Sequence, residues 1–261
     1  MKEFVSSSCP AGIRTQEDLN QQYQYFISKI SHEIRNPLTL IYSSLQLVDK
    51  KHPELPGTEL WVQLKQEVEE TISMLNELSS YNNSNNLKPE LLRTSDFLAS
   101  IDVACRPSME AAGIEFDTYT LNKIPPIYAD PVKIKEALLN LLRNAQDAVA
   151  ERSAISDLPS RSYRCRSNTS HFDAYHKRIE LYAEYTGFFI NLHVRDNGIG
   201  IPDKYMDTLF DPFITHKRTG TGLGLSIVKK IADSHGGCVT LLTNSCLPDT
   251  YTDICFSLPV E

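Results

Sequence analysis

The chain has 261 residues, of which 41% are hydrophobic and 23% are charged, and its formal net charge at pH 7 is −7. This composition fits a folded protein of one or two domains, and the acidic balance argues against a nucleic-acid binder, which needs a broad basic surface. No stretch comes near the roughly 18 uninterrupted apolar residues of a membrane span, and residues 1–22 lack the apolar core of a signal peptide. We therefore expect a cytoplasmic protein, and the six cysteines, which form no Cys-x-x-Cys pair, fit reduced thiols.

A long amphipathic helix is predicted from about Gln16 to Lys50, after a polar segment, residues 1–15, that we expect to be disordered. Apolar residues recur every three or four positions along this helix and form one stripe. The stripe consists of Phe26, Ile30, Ile34, Leu38, Ile41, Leu45 and Val48.

His32 lies about 200° round this helix from Ile30, on the face opposite the apolar stripe. Glu33 is adjacent to it in the chain, and Asn36 follows one helical turn later. A solvent-exposed histidine with a neighbouring carboxylate is a candidate nucleophile, although most exposed histidines on amphipathic helices carry no chemistry.

A helical hairpin is predicted over residues 16–80. The loop at residues 52–57 contains two prolines and a glycine, which end the first helix, and Thr58 is a plausible N-cap for the second. The apolar stripe of the second helix consists of Leu60, Leu64, Val68, Ile72 or Thr71, Leu75 and Leu78. Two antiparallel amphipathic helices cannot form a satisfactory core alone, so pairing with a second copy into a four-helix bundle predicts a homodimer.

A polar run without periodicity begins at Tyr81 and predicts an interdomain linker over residues 81–90. Helices and strands alternate in the domain that follows, residues 91–261. The predicted helices are 95–112, 131–149 and 224–235, and the predicted strands are 114–119, 179–185, 188–195, 239–242 and 252–258. A sheet with helices on one face is an α/β sandwich, so together with the hairpin the chain is predicted to be an α+β protein.

Residues 151–178 form an insertion that interrupts this alternation. They contain six serines and six lysines or arginines against three acids, in a chain that is acidic overall. A flexible surface insertion is one interpretation, and a docking or phosphate-contacting segment is the other.

Five short motifs follow one another along the chain. They are Ser31–Thr39 (SHEIRNPLT), Asn140–Ala145 (NLLRNA), Asp196–Pro202 (DNGIGIP), Leu209–Phe213 (LFDPF) and Gly220–Leu225 (GTGLGL). In this order and spacing they resemble the H, N, G1, F and G2 boxes of the sensor histidine kinases of two-component systems. The resemblance extends from about residue 23 to the end, with a histidine kinase domain at about 30–261.

The resemblance implies an ATP- and Mg²⁺-dependent protein-histidine kinase. Its hairpin would serve dimerisation and histidine phosphotransfer, and its second domain would have the ATP-binding fold shared with the heat-shock chaperones. A response-regulator receiver domain is the implied partner. Little of the chain precedes the hairpin, so we expect either a catalytic core separated from its sensory domain or a soluble family member that receives its input from a partner.

Asn140 and Asn144 lie one turn apart in an otherwise apolar helix, where unpaired amides would be costly. The resemblance implies that Asn144 ligates Mg²⁺ through its side-chain oxygen and that Asn140 approaches the phosphates. Hydrogen bonding between helices is the alternative. Sensor kinases often carry a lysine or arginine at the position of Asp147. An aspartate at this position resembles the nitrogen-regulation subgroup, and it leaves Arg143 as a candidate cation.

Asp196 follows a strand and precedes Gly198 and Gly200, so a purine could approach the backbone while the carboxylate accepts a hydrogen bond from its amine. The resemblance assigns this carboxylate to the exocyclic amine of adenine and places Ile201 and Phe210 at the nucleotide. A simple Asp-Asn-Gly turn is the alternative.

A glycine-rich loop opens the last predicted helix, so that free N–H groups and the helix dipole face the triphosphate. The residues expected there are Gly220, Thr221, Gly222, Leu223 and Gly224. Residues 214–219 form a short ATP lid in which Lys217 and Arg218, beside Thr219, are placed to meet the γ-phosphate. No Gly-Lys-Ser/Thr run occurs, which excludes a P-loop enzyme.

The resemblance also implies the chemistry at the first motif. His32 would attack the γ-phosphoryl group in line, Glu33 would orient the imidazole and take its proton, and the phosphoryl group would pass to an aspartate of the response regulator. Asn36 would hold a water for dephosphorylation of that aspartate, unless it only eases a helix bend at Pro37. Two rival functions are a scaffold or phosphotransfer dimer without kinase activity, and a clamp-type ATPase that does not phosphorylate itself.

Overall fold

The computed structural model describes residues 16–156, 175–215, 217, 220–246 and 249–260. Residues 1–15 and most of the predicted insertion lie outside the described residues. The chain divides into two compact units, Met1–Asn83 and Ser84–Glu261, and the division falls inside the segment predicted to be a linker. Within the described ranges, none of the helices combines the length and the apolar character that crossing a bilayer requires.

The first unit is a helical hairpin of α1 (Gln16–Lys51) and α2 (Glu59–Asn83). Helix α2 extends three residues into the predicted linker. Thr58 occupies the N-cap position, and its carbonyl accepts the backbone N–H groups of Trp61 and Val62. The hydroxyl of Thr58 donates to the carbonyl of Leu55 at 2.8 Å and so closes the loop.

Side chains from both helices meet along one seam of the hairpin, where Leu38 and Leu45 of α1 and Val68 of α2 are half-buried. Polar contacts fix the register near the loop. The carboxylate of Asp49 accepts hydrogen bonds from Trp61 Nε1 at 2.5 Å and from Lys65 Nζ at 2.6 Å. These two contacts hold the loop end of α1 against α2.

Next to this seam, a row of apolar side chains remains exposed in the single chain. Ile34 and Ile41 of α1 are 44% and 48% exposed, and Leu64 and Met74 of α2 are 44% and 47% exposed. Exposed apolar side chains that recur at helical spacing on both helices mark a surface that another protein chain can cover.

The second unit contains seven strands and three α-helices among its described residues. In chain order they are β1 (Glu90–Leu92), α3 (Thr94–Ala111), β2 (Glu115–Thr120), β3 (Ile127–Ala129), α4 (Pro131–Ser156), β4 (Arg178–Tyr185), β5 (Phe189–Asp196), α5 (Gly224–Ser234), β6 (Cys238–Asn244) and β7 (Tyr251–Pro259). A 3₁₀ helix, Asp203–Thr208, follows β5. The short strands β1 and β3, which pair with each other, were not predicted, and α4 runs past the predicted end at Val149.

The main sheet has the order β2-β4-β5-β7-β6, in which β2 and β4 are parallel and the other neighbours are antiparallel. Helix α4 packs on this sheet and buries Ile134, Leu138 and Leu141. As predicted, Asp130 caps α4, because its Oδ1 accepts the backbone N–H groups of Val132 and Lys133 at 3.0 Å each. Pro131 takes the first helical position, where its missing N–H costs nothing.

On the strands, buried apolar side chains alternate with side chains on the opposite face of the sheet. On that opposite face, a polar row crosses β2, β4, β5 and β7. The rings of Tyr119, Tyr182 and His193 stack in sequence, with centroid distances of 5.3 and 4.5 Å. Burial lowers the pKa of His193, but a hydrogen bond to Asp253 and the nearby Cys255 outweigh this effect and raise the pKa to about 10. His193 is therefore charged at neutral pH and pairs with Asp253.

Candidate functional site

The residues of the first motif divide between two sides of α1. His32, Glu33 and Asn36 are exposed, as predicted for His32. Ser31 and Arg35 point the other way: Ser31 is buried, and Nη2 of Arg35 reaches the carbonyl of Leu75 at 3.5 Å. Because the helix fixes these directions, the imidazole is presented to solvent and is open to a reactant.

Helix α1 continues through Pro37, which lies inside it. A proline has no N–H, so the carbonyl of Glu33 lacks its usual helical partner at this step. The missing bond makes this turn the most easily bent part of the helix. The alternative role of Asn36, easing a bend, therefore stays open beside the water-positioning role.

Helix α4 brings the two asparagines of the second motif to one face. The Oδ1 atom of Asn140 lies 3.8 Å from the position that a Cβ of Gly224 would take, at the start of α5. Oδ1 of Asn144 accepts a hydrogen bond from Lys217 Nζ at 2.8 Å, and the same ammonium lies 2.6 Å from Oδ2 of Asp147. Arg143 is exposed on the same helix.

The chemistry of this acceptor set suits a magnesium ion. An amide oxygen from Asn144 and a carboxylate oxygen from Asp147 already hold one cation, the Lys217 ammonium. Mg²⁺ prefers oxygen ligands and usually keeps several waters and phosphate oxygens beside one or two protein ligands. In the part of the chain that the structure describes, no cluster of three or more His, Cys, Asp or Glu residues could hold a metal by itself.

Asp196 ends β5 and is 6% exposed. Burial is the main cause that raises its pKa, to about 7; the charge of Asp253 adds to the increase, and the hydrogen bond from the N–H of Gly198 opposes it. That N–H lies 2.8 Å from Oδ1 of Asp196. A buried carboxylate with so little compensation is ready to accept a hydrogen bond from a ligand.

Two glycines of the third motif allow the turn after Asp196 to approach its neighbours closely. A Cβ on Gly198 would lie 2.6 Å from the backbone of Ala148 in α4. Gly200 has φ of +71°, and a Cβ there would overlap the carbonyl oxygen of Asn244. The next residue, Ile201, is half-buried, and its N–H donates to the hydroxyl of Thr243 at 2.9 Å.

The fifth motif closes the base of the predicted lid. The N–H of Phe213 donates to the carbonyl of Gly222 at 3.1 Å, and Gly222 has φ of +70° with Ile214 packed where a Cβ would be. Thr221 accepts the N–H of Leu223 at 3.1 Å. Leu223 is the N-cap of α5 and offers no side-chain cap, so backbone N–H groups at the start of α5, from Gly224 on, are suited to phosphate oxygens.

The remaining residues predicted at the nucleotide divide into two groups. Gly220 is exposed beside Thr215, and Phe210 is half-buried after the 3₁₀ helix. Arg218 and Thr219 lie outside the described residues. Lys217 is thus the lid cation whose position the structure gives.

Sequence reasoning missed three side chains that surround the turn at Asn197. They are Arg152 in α4, Tyr175 before β4 and Thr250 before β7. Nη1 of Arg152 donates to the carbonyl oxygens of Asn197 and Thr250, and the Tyr175 hydroxyl lies 3.1 Å from the carbonyl oxygen of Asn197. Their separations along the chain leave no local pattern that could have revealed them.

Comparison with known proteins gives two matching family models. The first, described as "Histidine kinase-, DNA gyrase B-, and HSP90-like ATPase", matches residues 129–261. The second, "His Kinase A (phospho-acceptor) domain", matches residues 22–84. Together the two models contain all five sequence motifs.

Several curated proteins are similar over most of this chain. The sensory histidine kinase/phosphatase NtrB of Rhizobium meliloti is 28% identical over 212 residues, which are 81% of this chain and 53% of that protein. The signal transduction histidine-protein kinase AtoS of Escherichia coli is 25% identical over 232 residues, 89% of this chain and 34% of that protein. The chain thus spans about half of NtrB and a third of AtoS.

Solved structures share the fold. Full-length ShkA in complex with AMPPNP matches with a TM-score of 0.69 and 18% identity over 91% of this chain and 46% of that one. The histidine kinase ThkA in complex with the response regulator protein TrrA matches with a TM-score of 0.59 and 22% identity, over 95% of this chain and 65% of that one.

The turn at Gly200 generates a prediction about stability. Replacing Gly200 by alanine combines a left-handed backbone with the overlap at Asn244, which should cost roughly 2–5 kcal/mol of unfolding free energy. Gly113 is a matched control, because its φ is +66° but no atom lies within 4 Å of the added Cβ. Gly113→Ala should therefore cost only about 1–2 kcal/mol. Urea unfolding measures both; equal losses would mean that the turn can move away from Asn244.

Proposed function

Because this chain belongs to the sensor histidine kinases of two-component systems, we propose that it is an ATP-dependent protein-histidine kinase that phosphorylates His32. One observation carries the proposal: a single chain joins an exposed histidine on a hairpin to a unit that retains the asparagine, aspartate and glycine elements of a nucleotide site. A scaffold dimer would not need those elements. A clamp-type ATPase would not need the hairpin histidine.

The nucleotide would be held by groups of the second unit. The carboxylate of Asp196 would accept the exocyclic amine of adenine, and the uncapped start of α5, with Asn140 beside it, would bind phosphate oxygens. Lys217 would leave Asn144 and Asp147 to meet the γ-phosphate. Mg²⁺, held by Asn144, would neutralise phosphate charge.

Phosphoryl transfer would then proceed at the exposed histidine. A ring nitrogen of His32 forms the new N–P bond while the bond to the ADP oxygen breaks, and Glu33 orients the ring and takes its proton. The phosphoryl group would next pass to an aspartate of a response regulator. The complex of ThkA with TrrA supports this partner class, and the name of NtrB as a kinase/phosphatase supports a phosphatase activity in which Asn36 positions the water.

We further propose a homodimer. The exposed row that includes Ile34, Ile41, Leu64 and Met74 leaves part of the apolar face of each hairpin uncovered. Two hairpins that bury these faces against each other form a four-helix bundle, in which every helix has a core-facing stripe. The match to a phospho-acceptor domain model over residues 22–84 supports the same assembly.

Replacing His32 by glutamine tests the central proposal. Incubation of the wild type with γ-labelled ATP and Mg²⁺ should give an acid-labile, base-stable phosphoprotein, because a phosphoramidate has this stability. His32→Gln should abolish the label and leave ATP affinity nearly unchanged. His52→Gln is the matched control, since His52 is also exposed on the hairpin but lies in its loop, and it should keep full labelling. Label that persists on His32→Gln would refute the assignment.

The raised pKa of Asp196 predicts how ATP binding depends on pH. If the ionised carboxylate accepts the adenine amine, binding selects the ionised form, whose pKa is about 7 in the free protein. The dissociation constant should then be flat above pH 7 and rise by up to about tenfold per pH unit below it.

Asp196→Asn provides the control for this pH dependence. It should weaken binding at pH 8 by roughly ten- to a hundredfold, as expected for loss of a hydrogen bond to a charged group. It should also remove the increase of the dissociation constant below pH 7, apart from the part that the protonation of ATP itself causes. Calorimetry at several pH values measures both, and identical pH profiles for the two proteins would exclude Asp196 as the acceptor.

Substitutions of Glu33 and Asn36 should affect the kinase and phosphatase activities differently. Glu33→Ala should slow autophosphorylation by about 10²–10⁴-fold, as is typical of a lost general base. Asn36→Ala should keep autophosphorylation and lose dephosphorylation of a phosphorylated response regulator. Both rates are measured on each variant, and equal losses of both activities in Asn36→Ala would favour the helix-bend role.

A further inference from the structure

Asn197, between the adenine-site residues Asp196 and Gly198, has every polar atom in a hydrogen bond. Its N–H donates to the carbonyl of Arg178, and Nδ2 donates to the carbonyl of His176 at 2.7 Å. Oδ1 accepts the N–H of Arg178 at 2.9 Å and lies 3.1 Å from the hydroxyl of Tyr175. A turn residue held on all sides has little freedom, so the direction of its neighbour Asp196 is fixed with it.

The carbonyl oxygen of Asn197 is the meeting point of two side chains from opposite ends of the insertion. Nη1 of Arg152 donates to it at 2.5 Å, and the hydroxyl of Tyr175 lies 3.1 Å away. The Arg152 guanidinium lies over the Tyr175 ring, 4.5 Å from its centroid, which orients both groups.

Arg152 also ties the turn to the residue that precedes β7, the strand next to β5. The Nη1 atom that contacts Asn197 lies 3.1 Å from the carbonyl oxygen of Thr250, and the buried hydroxyl of Thr250 donates to the carbonyl of Gly198. The backbone carbonyls of Asn197 and Gly198 are therefore both fixed by hydrogen bonds.

We propose that Arg152 and Tyr175 are positioning residues that fix the Asn197 turn, and thereby hold the Asp196 carboxylate in the orientation that accepts the adenine amine. This inference rests on the proposed function, because it assigns a cause to the adenine selectivity of the same site. It also gives the two ends of the insertion a role in nucleotide affinity that neither interpretation of its sequence included.

The protonation state of the Tyr175 hydroxyl suits this positioning role. Burial raises the pKa of its hydroxyl to about 12; nearby Arg152 opposes the increase, and the charge of Asp196 adds to it. Tyr175 therefore remains a hydrogen-bond donor throughout the neutral range, and its influence on the turn does not change with pH.

Tyr175→Phe and Arg152→Lys test the proposal in the full chain. Tyr175→Phe removes the hydroxyl near the Asn197 carbonyl and keeps the ring. Arg152→Lys removes the guanidinium that contacts the same carbonyl and keeps the positive charge. Each should raise the KM for ATP in autophosphorylation by about 3- to 10-fold, the loss of one net hydrogen bond, with kcat at saturating ATP unchanged. Affinity for inosine triphosphate, which carries an oxo group in place of the amine, should change by less than about twofold.

Two matched controls separate this effect from a general loss of structure. Tyr185→Phe removes a hydroxyl that donates to the carbonyl of Gly187 at 2.8 Å in another loop. Arg106→Lys alters a guanidinium that lies over the Phe116 ring at 5.7 Å. Both controls should leave the KM for ATP unchanged.

Three results would count against the proposals, and they differ. Unchanged KM for ATP in both positioning variants would refute the inference and leave the kinase proposal standing. Equal losses for ATP and inosine triphosphate would refute it as well, because the contacts would then support the whole site and not the amine acceptor. A wild-type protein that binds neither nucleotide in calorimetry would refute the proposed function itself.

Discussion

The close approach of the Asp196–Gly198 turn to helix α4 is the contact on which the second unit depends. Gly198 lies against the backbone of Ala148, with no room for a side chain. This approach places the buried carboxylate beside a helix whose successive turns carry Asn140, Asn144 and Asp147. One helix therefore carries the residues proposed to approach the phosphates and the cation, next to the carboxylate proposed to bind the base, and the sheet holds that helix in place.

This arrangement has an energetic cost that the fold carries without ligand. A carboxylate that is only 6% exposed, with a backbone N–H as its partner, is poorly solvated, and this burial raises its pKa to about 7. Strain at left-handed Gly200 and Gly222 is avoided only because neither has a side chain. Such local compromises are typical of sites whose geometry is set for binding rather than for stability.

Much of the fold follows from the sequence, since long periodic segments such as α1, α4 and β5 determine their own type. The Asp130 cap of α4 was also readable, because its partners are two and three residues away. The strands β1 and β3 were missed because three residues are too few to show alternation.

For the site, the motifs located Asp196, Asn144 and the glycines, whose chemistry is local to each motif. The contacts that hold Asn197 join residues as far apart as Arg152 and Thr250, and nothing in a single sequence links such positions. The role of Lys217 at the γ-phosphate stays a prediction, and the structure places its ammonium beside Asn144 and Asp147.

The exposed apolar row of the hairpin has a consequence for how the two units withstand denaturation. In the proposed homodimer a second copy would bind only the folded hairpin and stabilise it by mass action, so the stability of the hairpin should rise with protein concentration. The second unit has its own core around Leu138 and Phe256, so its stability should not depend on this association. Dilution should therefore loosen the hairpin first, while the second unit remains folded.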